Sequence, residues 1–327
     1  MINQKAYAIN DNMNSIILAG ALVWDRILGE PSVKIHPTVW MGNYIRFIWE
    51  KKKRRSPLTD FIWGAFLLLS GVILFSIPVF FLFQFVGSSQ PVLKVLLGIP
   101  FLKVSFSIRY LLQAAGEIRD ELLLENLAEA RRLTAYHLVS RDTSTLSQEE
   151  IVSAVIESVA ENITDSFISP LFYFFLCGIP GAWAFRFINT GDAMIAYRNK
   201  EYEWGGKTTA WADSFLNWIP ARLTGIGIVL ATLLIPGISG KNSWKSMIKN
   251  HSRTASPNAG WTMGAMAGSL NIRLEKKGEY LLDGGSDTLT ASKIDNCLKI
   301  TLLSLIMTMF FLILLVQGGV WALNMAV

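Results

Sequence analysis

The chain has 327 residues, of which 51% are hydrophobic and only 17% are charged, and its mean hydropathy is +0.37. This composition disfavours a disordered protein and predicts an integral membrane protein. The net charge of +5 is modest and no basic run is interleaved with aromatic residues, so nucleic-acid binding is also disfavoured. The two cysteines, Cys177 and Cys297, form neither a disulfide framework nor a metal-binding motif.

Several apolar stretches follow the polar, Asn-rich amino terminus, which lacks the basic region and cleavage site of a signal peptide and is expected to be retained. Residues 61–86 and 300–327, 26 and 28 residues without a charge, are long enough to span a bilayer. Residues 91–112, 166–185 and 214–240 contain prolines, glycines or charges, which predicts kinked, re-entrant or interfacial helices.

The basic run at residues 51–55 precedes the first long span, so the positive-inside rule places it in the cytoplasm. We predict an all-α polytopic protein of the cytoplasmic membrane, one domain over residues 1–327. It has four or five membrane-embedded helical segments, some broken, and amphipathic cytoplasmic helices. Two polar excursions are expected in the cytoplasm: residues 113–165, with 11 acidic residues against four arginines, and residues 241–299, with nine lysines and arginines.

A helix that carries three carboxylates is predicted in the first excursion. Ser147 and Glu150 form a capping-box pattern, which predicts that a helix begins there. On it, Glu157, Glu161 and Asp165 follow at four-residue intervals and repel by ~0.2–0.5 kcal/mol per pair. A magnesium ion or a nearby arginine would offset this repulsion, and a plain acidic surface is the alternative.

A second polar cluster lies between two apolar stretches. Asp213 and Asn217, four residues apart, are predicted to share a helix face. Arg222 lies in an apolar segment, where a charge costs ~3 kcal/mol, so it is a functional candidate unless it snorkels to the interface. Gly260, Gly264 and Gly268, spaced by four, suit either a site or close helix packing. The remaining candidates are Asn189, Asp192, Tyr197, Arg198, Asn199 and, before the glycines, Asn258.

Ordered motifs from about residue 19 to 274 resemble the CbiB/CobD family of cobalamin biosynthesis. They are Asp25-Arg26-x2-Gly29-Glu-Pro31 with His36-Pro37, Arg141-Asp-Thr143, Glu157-x3-Glu161-Asn162-x2-Asp165, Pro170-Leu-Phe172, Asn189-Thr-x-Asp192, Tyr197-Arg-Asn199, Asn217-Trp-Ile-Pro-Ala-Arg222 and Ser256-Pro-Asn-Ala-Gly-Trp261. The resemblance implies an adenosylcobinamide-phosphate synthase activity, in which ATP drives amide formation between adenosylcobyric acid, a corrinoid, and aminopropanol or its O-phosphate.

Roles for individual residues follow from this resemblance. Glu157, Glu161 and Asp165 are expected to bind the Mg²⁺ of the nucleotide, and Asp192 or Asp213 to act as base or second metal ligand. Arg141, Arg198 and Arg222 are expected to grip phosphate or propionate. Further ligand-binding candidates are Asp142, Asn162, Asn189, Tyr197, Asn199, Asn217 and Asn258. Residues 189–213 are expected to face the cytoplasm with the acidic helix.

The chain departs from the family pattern at four positions, where Ser140, Ala193, Ala196 and Ser214 stand. These departures leave the identity of the amine substrate open, and the oligomeric state, including a homo-oligomer, is open as well. Two other functions are compatible with the sequence: a membrane sensor of the related AmpE type, and a transporter of an anionic solute that uses Arg222 and the broken helices.

Overall fold

The computed structural model describes residues 2–52, 56–87, 90–197 and 199–325, and it is mostly helical, as predicted. In chain order the helices are α1 (Ile2–Ile27), α2 (Pro37–Glu50), α3 (Pro57–Val86), α4 (Pro91–Lys103), α5 (Arg109–Leu123), α6 (Leu127–His137), α7 (Gln148–Ile163), α8 (Ser169–Ile195), α9 (Lys207–Leu216), α10 (Trp218–Thr232), α11 (Gly240–Asn250), α12 (Ala259–Leu270) and α13 (Ala291–Met325). A π-helical segment, Thr164–Ile168, continues α7. Strands β1 (Arg273–Lys276) and β2 (Tyr280–Asp283) form an antiparallel hairpin that was not predicted.

Backbone contacts divide the chain into two compact units. Unit 1 consists of Met1–Arg109 and Ser169–Leu216, and unit 2 consists of Tyr110–Ile168 and Asn217–Val327. Each unit therefore combines two separate stretches of the chain. Hydropathy alone gives no sign of this boundary, because apolar helices occur in both units.

Unit 1 is built around α3 packed on α8, with α1 packed on α4. Ser56 begins α3 through a capping box with Thr59, and Pro57 occupies the first helical turn, where its missing N–H costs nothing. Close approach of α3 to α8 requires Gly71, since a Cβ there would lie 1.8 Å from Cζ of Phe187.

The apolar helix α8 is broken near its middle. Gly178 has φ 68° and ψ −164°, a conformation that favours glycine, and Pro180 follows inside the helix without a backbone N–H to donate. The kink predicted for residues 166–185 is confirmed.

Unit 2 is a bundle in which α12 packs on α11 and α10 packs on α13 and α12. The predicted capping box begins α7: the Glu150 N–H donates to Ser147 Oγ over 3.3 Å, and the Ser147 N–H donates to Glu150 Oε2 over 2.7 Å. The stripe of Gly260, Gly264 and Gly268 faces the backbone of α11 and its cap, with no room for added side chains at the first and last positions. Close packing is therefore the role of these glycines.

Three helical stretches in the described part of the chain are long and apolar enough to cross a membrane: Pro57–Val86, Gln148–Ile195 and Ala291–Leu314. The first contains the whole predicted span at 61–86, and the third contains residues 300–314 of the one predicted at 300–327. Helices α9 and α10 qualify only as a pair separated by a bend, as a broken span or a re-entrant loop. Helix α4, at ~1.5 Å per residue, is about 20 Å long and too short to cross the ~30 Å hydrocarbon core alone.

Candidate functional site

Unit 2 contains a polar cavity of about 200 Å³ beside α7, named here the α7 cavity. Its walls are formed by α7, by the loop that follows α6 and by the β-hairpin. The polar residues that line it are Ser140, Arg141, Glu157, Ser158, Glu161, Asn162, Lys276 and Tyr280. The cavity thus brings together four residues that the sequence predicted, Arg141, Glu157, Glu161 and Asn162.

Glu157 is held from two sides at the wall of this cavity. Its side chain is 6% exposed. Ser153 Oγ, one turn earlier on α7, donates to Glu157 Oε1 over 2.6 Å, and the Tyr280 hydroxyl donates to Oε2 over 2.7 Å. The Glu275 N–H donates to Ser153 Oγ over 3.1 Å, so the hairpin is fixed to α7 through the same carboxylate.

Tyr280 keeps its proton throughout the physiological range. Burial raises the pKa of its hydroxyl, and the neighbouring Glu157 carboxylate raises it further by charge and by accepting its hydrogen bond. A phenol that stays protonated is a permanent donor to Glu157. The orientation of this carboxylate is therefore fixed by the hairpin.

Arg141 and Lys276 supply positive charge to the cavity. The Nε of Arg141 is buried and has no hydrogen-bond partner within the described residues, an unusual state for a guanidinium. Lys276 pairs with Glu279 over 2.8 Å at the rim. Arg141 forms no ion pair with the described residues, so the rest of its guanidinium can bind the phosphate or carboxylate oxygens of an anionic ligand in the cavity.

The three predicted metal ligands, Glu157, Glu161 and Asp165, do not form one metal-binding group in the structure. Glu157 is engaged by Ser153 and Tyr280, Glu161 is an exposed residue of the cavity, and Asp165 belongs to the π-helical segment. A π-turn contains more residues than an α-turn, so the regular four-residue stacking ends before Asp165. Among the described residues there is no group of three or more His, Cys, Asp or Glu side chains that could hold a metal ion.

Arg222, also in unit 2, lies between two tryptophan rings. Its Cζ is 4.0 Å from the ring centre of Trp218 and 4.7 Å from that of Trp261. Its Nη1 donates to the Trp218 carbonyl over 2.6 Å and to Asn258 Oδ1 over 3.4 Å. No carboxylate of the described residues forms an ion pair with it. The guanidinium is stacked and positioned, and it retains donors for an anion.

In unit 1, the residues after the break in α8 form an amide and carboxylate cluster with α9. Asn189 Nδ2 donates to Asp213 Oδ1 over 3.1 Å, and Arg186 Nη1 donates to Asn189 Oδ1 over 3.1 Å. Arg186 also donates from Nε to the Ser105 carbonyl over 2.7 Å. Asp213 is buried and Asp192, on the same helix as Asn189, is half-buried.

Asp213 and Asn217, which were predicted to lie on one helix, are separated by a helix end. Helix α9 ends at Leu216, and Asn217, which is 1% exposed, is the first residue before α10. Pro220, in the first turn of α10, has no N–H with which to continue α9 as one helix.

Three other candidates lie in turns. Asp142 accepts from the Ser144 N–H and Oγ over 2.9 and 3.0 Å, and these bonds lower the pKa of its exposed carboxyl. Asn199 Oδ1 accepts from the N–H groups of Glu201 and Tyr202, which closes a turn. Tyr197 is 45% exposed. Arg198 lies outside the described residues.

The first motif of the sequence, which begins at Asp25, forms an ion network around the buried Lys103 in unit 1. Lys103, with a fully buried side chain, lies 3.2 Å from Asp25 Oδ1 and 2.8 Å from Glu30 Oε1. His36 Nδ1 accepts from the Thr38 N–H at the start of α2, so its Nε2 carries the proton and donates to Glu30 over 3.1 Å. We call Asp25, Glu30, His36 and Lys103 the Lys103 network.

Sequence reasoning missed four residues near these sites. Lys276 and Tyr280 lie on the hairpin, whose Gly278 turn at φ 80° was the available signal. Trp218 and Trp261 were within motifs but had no assigned role. The sequence does not indicate that the two rings flank the Arg222 guanidinium, because Trp218 belongs to α10 and Trp261 to α12.

Comparison with known proteins places this architecture in a family. The family model described as CobD/Cbib protein matches residues 18–315. A probable cobalamin biosynthesis protein CobD of Methanothermobacter thermautotrophicus is 38% identical over 291 residues, which cover 89% of this chain and 94% of that protein.

Two further relatives have similar coverage. The cobalamin biosynthesis protein CobD of Dehalococcoides mccartyi is 38% identical over 267 residues, 82% of this chain and 86% of its own. The probable cobalamin biosynthesis protein CobD of Methanococcus aeolicus is 39% identical over 282 residues, 85% of this chain and 90% of its own. No solved structure matches. The chain belongs to the CobD/CbiB family of cobalamin biosynthesis proteins.

Proposed function

We propose that the chain is an ATP-dependent amide ligase that joins adenosylcobyric acid to aminopropanol or its O-phosphate. Membership of a cobalamin biosynthesis family supports this function over a membrane sensor or an anion transporter. The observation that carries the proposal is the α7 cavity, which brings Arg141, a cation without an ion pair among the described residues, together with the carboxylates of Glu157 and Glu161.

The size of the cavity favours the smaller of the two substrates. Pockets for drug-sized ligands have volumes of roughly 300–1,000 Å³. A cavity of about 200 Å³ is smaller than such pockets, so its size suits a short amino alcohol or its phosphate better than a corrinoid macrocycle. Arg141 and Lys276 would bind the phosphate, and Glu161 the ammonium group.

Amide formation at neutral pH requires activation of the carboxylate. Transfer of the γ-phosphoryl group of ATP to the propionate gives an acyl phosphate and ADP. The amine nitrogen then attacks the acyl carbon, a C–N bond forms, the C–O bond to phosphate breaks, and inorganic phosphate leaves. A carboxylate must take the proton that the amine loses. Glu161, exposed at the cavity, is our choice for this base.

Arg222 suits the carboxylate substrate. Its guanidinium is stacked between Trp218 and Trp261, so its plane is fixed before the ligand binds, and a fixed fork can bind a propionate with two hydrogen bonds. The flat, half-exposed ring of Trp218 lies next to it and provides apolar contact surface for the rest of such a ligand.

The proposal includes magnesium only because ATP is usually bound as its Mg²⁺ complex. The residues described do not fit a three-carboxylate metal site, because Glu157 is already occupied by two donors and the π-helical segment displaces Asp165. Magnesium commonly binds through one or two carboxylates and the phosphates of a nucleotide. We assign no reaction step to it.

Incubation of the purified protein with adenosylcobyric acid, ATP, Mg²⁺ and aminopropanol O-phosphate, followed by mass detection, tests the proposal. We expect an ATP-dependent product with the mass of the amide, and a parallel reaction with aminoethanol O-phosphate reports the amine preference. Glu161→Gln should abolish turnover, whereas the control Glu129→Gln, on exposed α6, should retain it. No product from the parent chain, or full activity of Glu161→Gln, would refute the function or the assigned base, respectively.

We also propose that the loop after α8 faces the cytoplasm, where ATP is available. Lys200 in this loop is exposed and is the position to label. Lys200→Cys, in a variant that lacks Cys177 and Cys297, should resist a membrane-impermeant maleimide in intact cells and react in inverted vesicles. Labelling in intact cells would place the loop, and with it Asp192, on the outer side.

A further inference from the structure

Helix α11 has one buried side and one exposed amphipathic side. The buried side consists of Ser243, Ser246, Met247 and Asn250, which pack within unit 2. At 3.6 residues per turn, the remaining residues lie on the opposite arc. There, Trp244 is 49% exposed and Ile248 is 44% exposed, so two large apolar side chains project from the protein.

Three lysines follow the apolar pair around the helix. Lys241, Lys245 and Lys249 repeat every four residues and are all exposed. Lys249 donates to Asp283 Oδ2 over 2.7 Å. Lys241 and Lys245 form no ion pair with the part of the chain that the structure describes, so this side of α11 carries unbalanced positive charge.

The position of α11 in the chain brings this surface to the edge of the apolar region. Helix α10, half of the broken candidate span, ends at Thr232, and α11 begins at Gly240. Leu233 and Leu234, which follow α10 directly, are 69% and 56% exposed. The chain thus passes from an apolar helix through exposed leucines to the lysines of α11. Apolar residues followed by lysines are typical of a segment that leaves the hydrocarbon core of a bilayer and enters the headgroup region.

A small polar cavity lies beside the lysines. It has a volume of about 220 Å³, and its lining includes Asn242, Lys245, Lys249, Asp283, Gly284 and Gly285. Lys249 balances the charge of Asp283, which leaves the Lys245 ammonium as the donor for a phosphate there.

We infer that α11 is an interfacial helix that binds anionic phospholipid. Trp244 and Ile248 enter the boundary between headgroups and acyl chains, and the lysines contact lipid phosphates, with one headgroup in the cavity beside Lys245. Amphipathic helices with a basic polar face and an exposed tryptophan bind membranes in this way, and lysines near an anionic surface strengthen the binding. This inference does not depend on the ligase proposal.

Lipid binding to the full-length protein in neutral detergent tests it. Phosphatidylglycerol and phosphatidylcholine are added separately, and bound lipid is counted by native mass spectrometry. We expect phosphatidylglycerol to bind at least about tenfold more tightly than phosphatidylcholine, with a preference that weakens in high salt. Inorganic phosphate at equal concentration should not compete, which distinguishes a membrane lipid from a free phosphate ligand.

Two variants locate the site. Lys241→Gln, Lys245→Gln and Lys249→Gln combined should lower the affinity for phosphatidylglycerol about tenfold or more. A control that removes three exposed lysines elsewhere, Lys34, Lys200 and Lys277, should bind as the parent does. Trp244→Gln with Ile248→Gln should lower the affinity for both lipids. Equal binding of the two lipids by the parent, or an unchanged lysine variant, would overturn the inference, and the parent comparison decides it if a variant fails to fold.

Discussion

The Lys103 network of unit 1 and the α7 cavity of unit 2 both contain charged residues from family motifs, but they differ in how those charges are paired. In the network, Lys103 Nζ lies within ion-pair distance of both carboxylates, although Asp25 Oδ1 accepts no hydrogen bond, and Glu30 also accepts from His36. In the cavity, the guanidinium of Arg141 has a buried nitrogen without an acceptor. A closed set of pairs stabilises a fold, whereas a charge left open in a cavity can bind a ligand.

The largest effect is expected in the network. Lys103→Met would leave Asp25 without its buried counter-charge, and breaking a buried pair in this way costs about 3–5 kcal/mol. We expect the variant to unfold in detergent at a much lower temperature than the parent. The triple variant Asp25→Asn, Glu30→Gln, Lys103→Met removes all three charges and should recover most of the lost stability. If Lys103→Met alone is as stable as the parent, the network is not structural.

Arg141→Ala should lower activity and leave stability nearly unchanged, the opposite of what is expected for Lys103→Met. Removal of a cation that binds ligand should lower kcat/KM about 100-fold, equivalent to ~2.7 kcal/mol, with little change in thermal stability. Arg132→Ala is a suitable control, because Arg132 lies on the same stretch of chain but is exposed and paired with Glu129 over 2.6 Å. Equal losses in the two variants would mean that Arg141 has no specific role.

Arg222 is a second cation that forms no ion pair with the described residues. Arg222→Lys keeps the charge but loses the planar stacking between Trp218 and Trp261 and the bidentate geometry. We expect about a tenfold loss in kcat/KM, ~1.4 kcal/mol. The loss should appear mainly when adenosylcobyric acid, rather than the amine, is varied. A lysine variant with parental kinetics would indicate that Arg222 only snorkels.

The smallest effect concerns acid stability. Burial alone would raise the pKa of Glu30, but hydrogen bonds from His36 and Lys103 and the charge of Lys103 outweigh it and hold the pKa at about 2. A depressed pKa contributes stability above the ordinary value of 4.5, and this contribution is lost as the pH falls from there towards 2. Thermal unfolding in that window should depend less on pH in Glu30→Gln than in the parent. Identical pH profiles would contradict this account.

The sequence predicts elements more reliably than contacts between them. Charge-free stretches identified the long apolar helices, and the capping pattern at Ser147 identified the start of α7, because both signals are local. The Tyr280 bond to Glu157 and the tryptophans around Arg222 join distant parts of the chain, which a single sequence does not reveal. The π-helical segment that contains Asp165 was not predicted, because such a segment has no sequence signature comparable to a cap.

Ligation activity per folded molecule, measured side by side in two variants, tests the central claim most directly. We predict that Arg141→Ala remains folded and forms almost no amide from adenosylcobyric acid and aminopropanol O-phosphate. We predict that the charge-free triple variant of Asp25, Glu30 and Lys103, once folded, forms amide at a rate close to that of the parent. An active Arg141→Ala together with an inactive but folded triple variant would contradict the account, because catalysis would then depend on the network and not on the cavity.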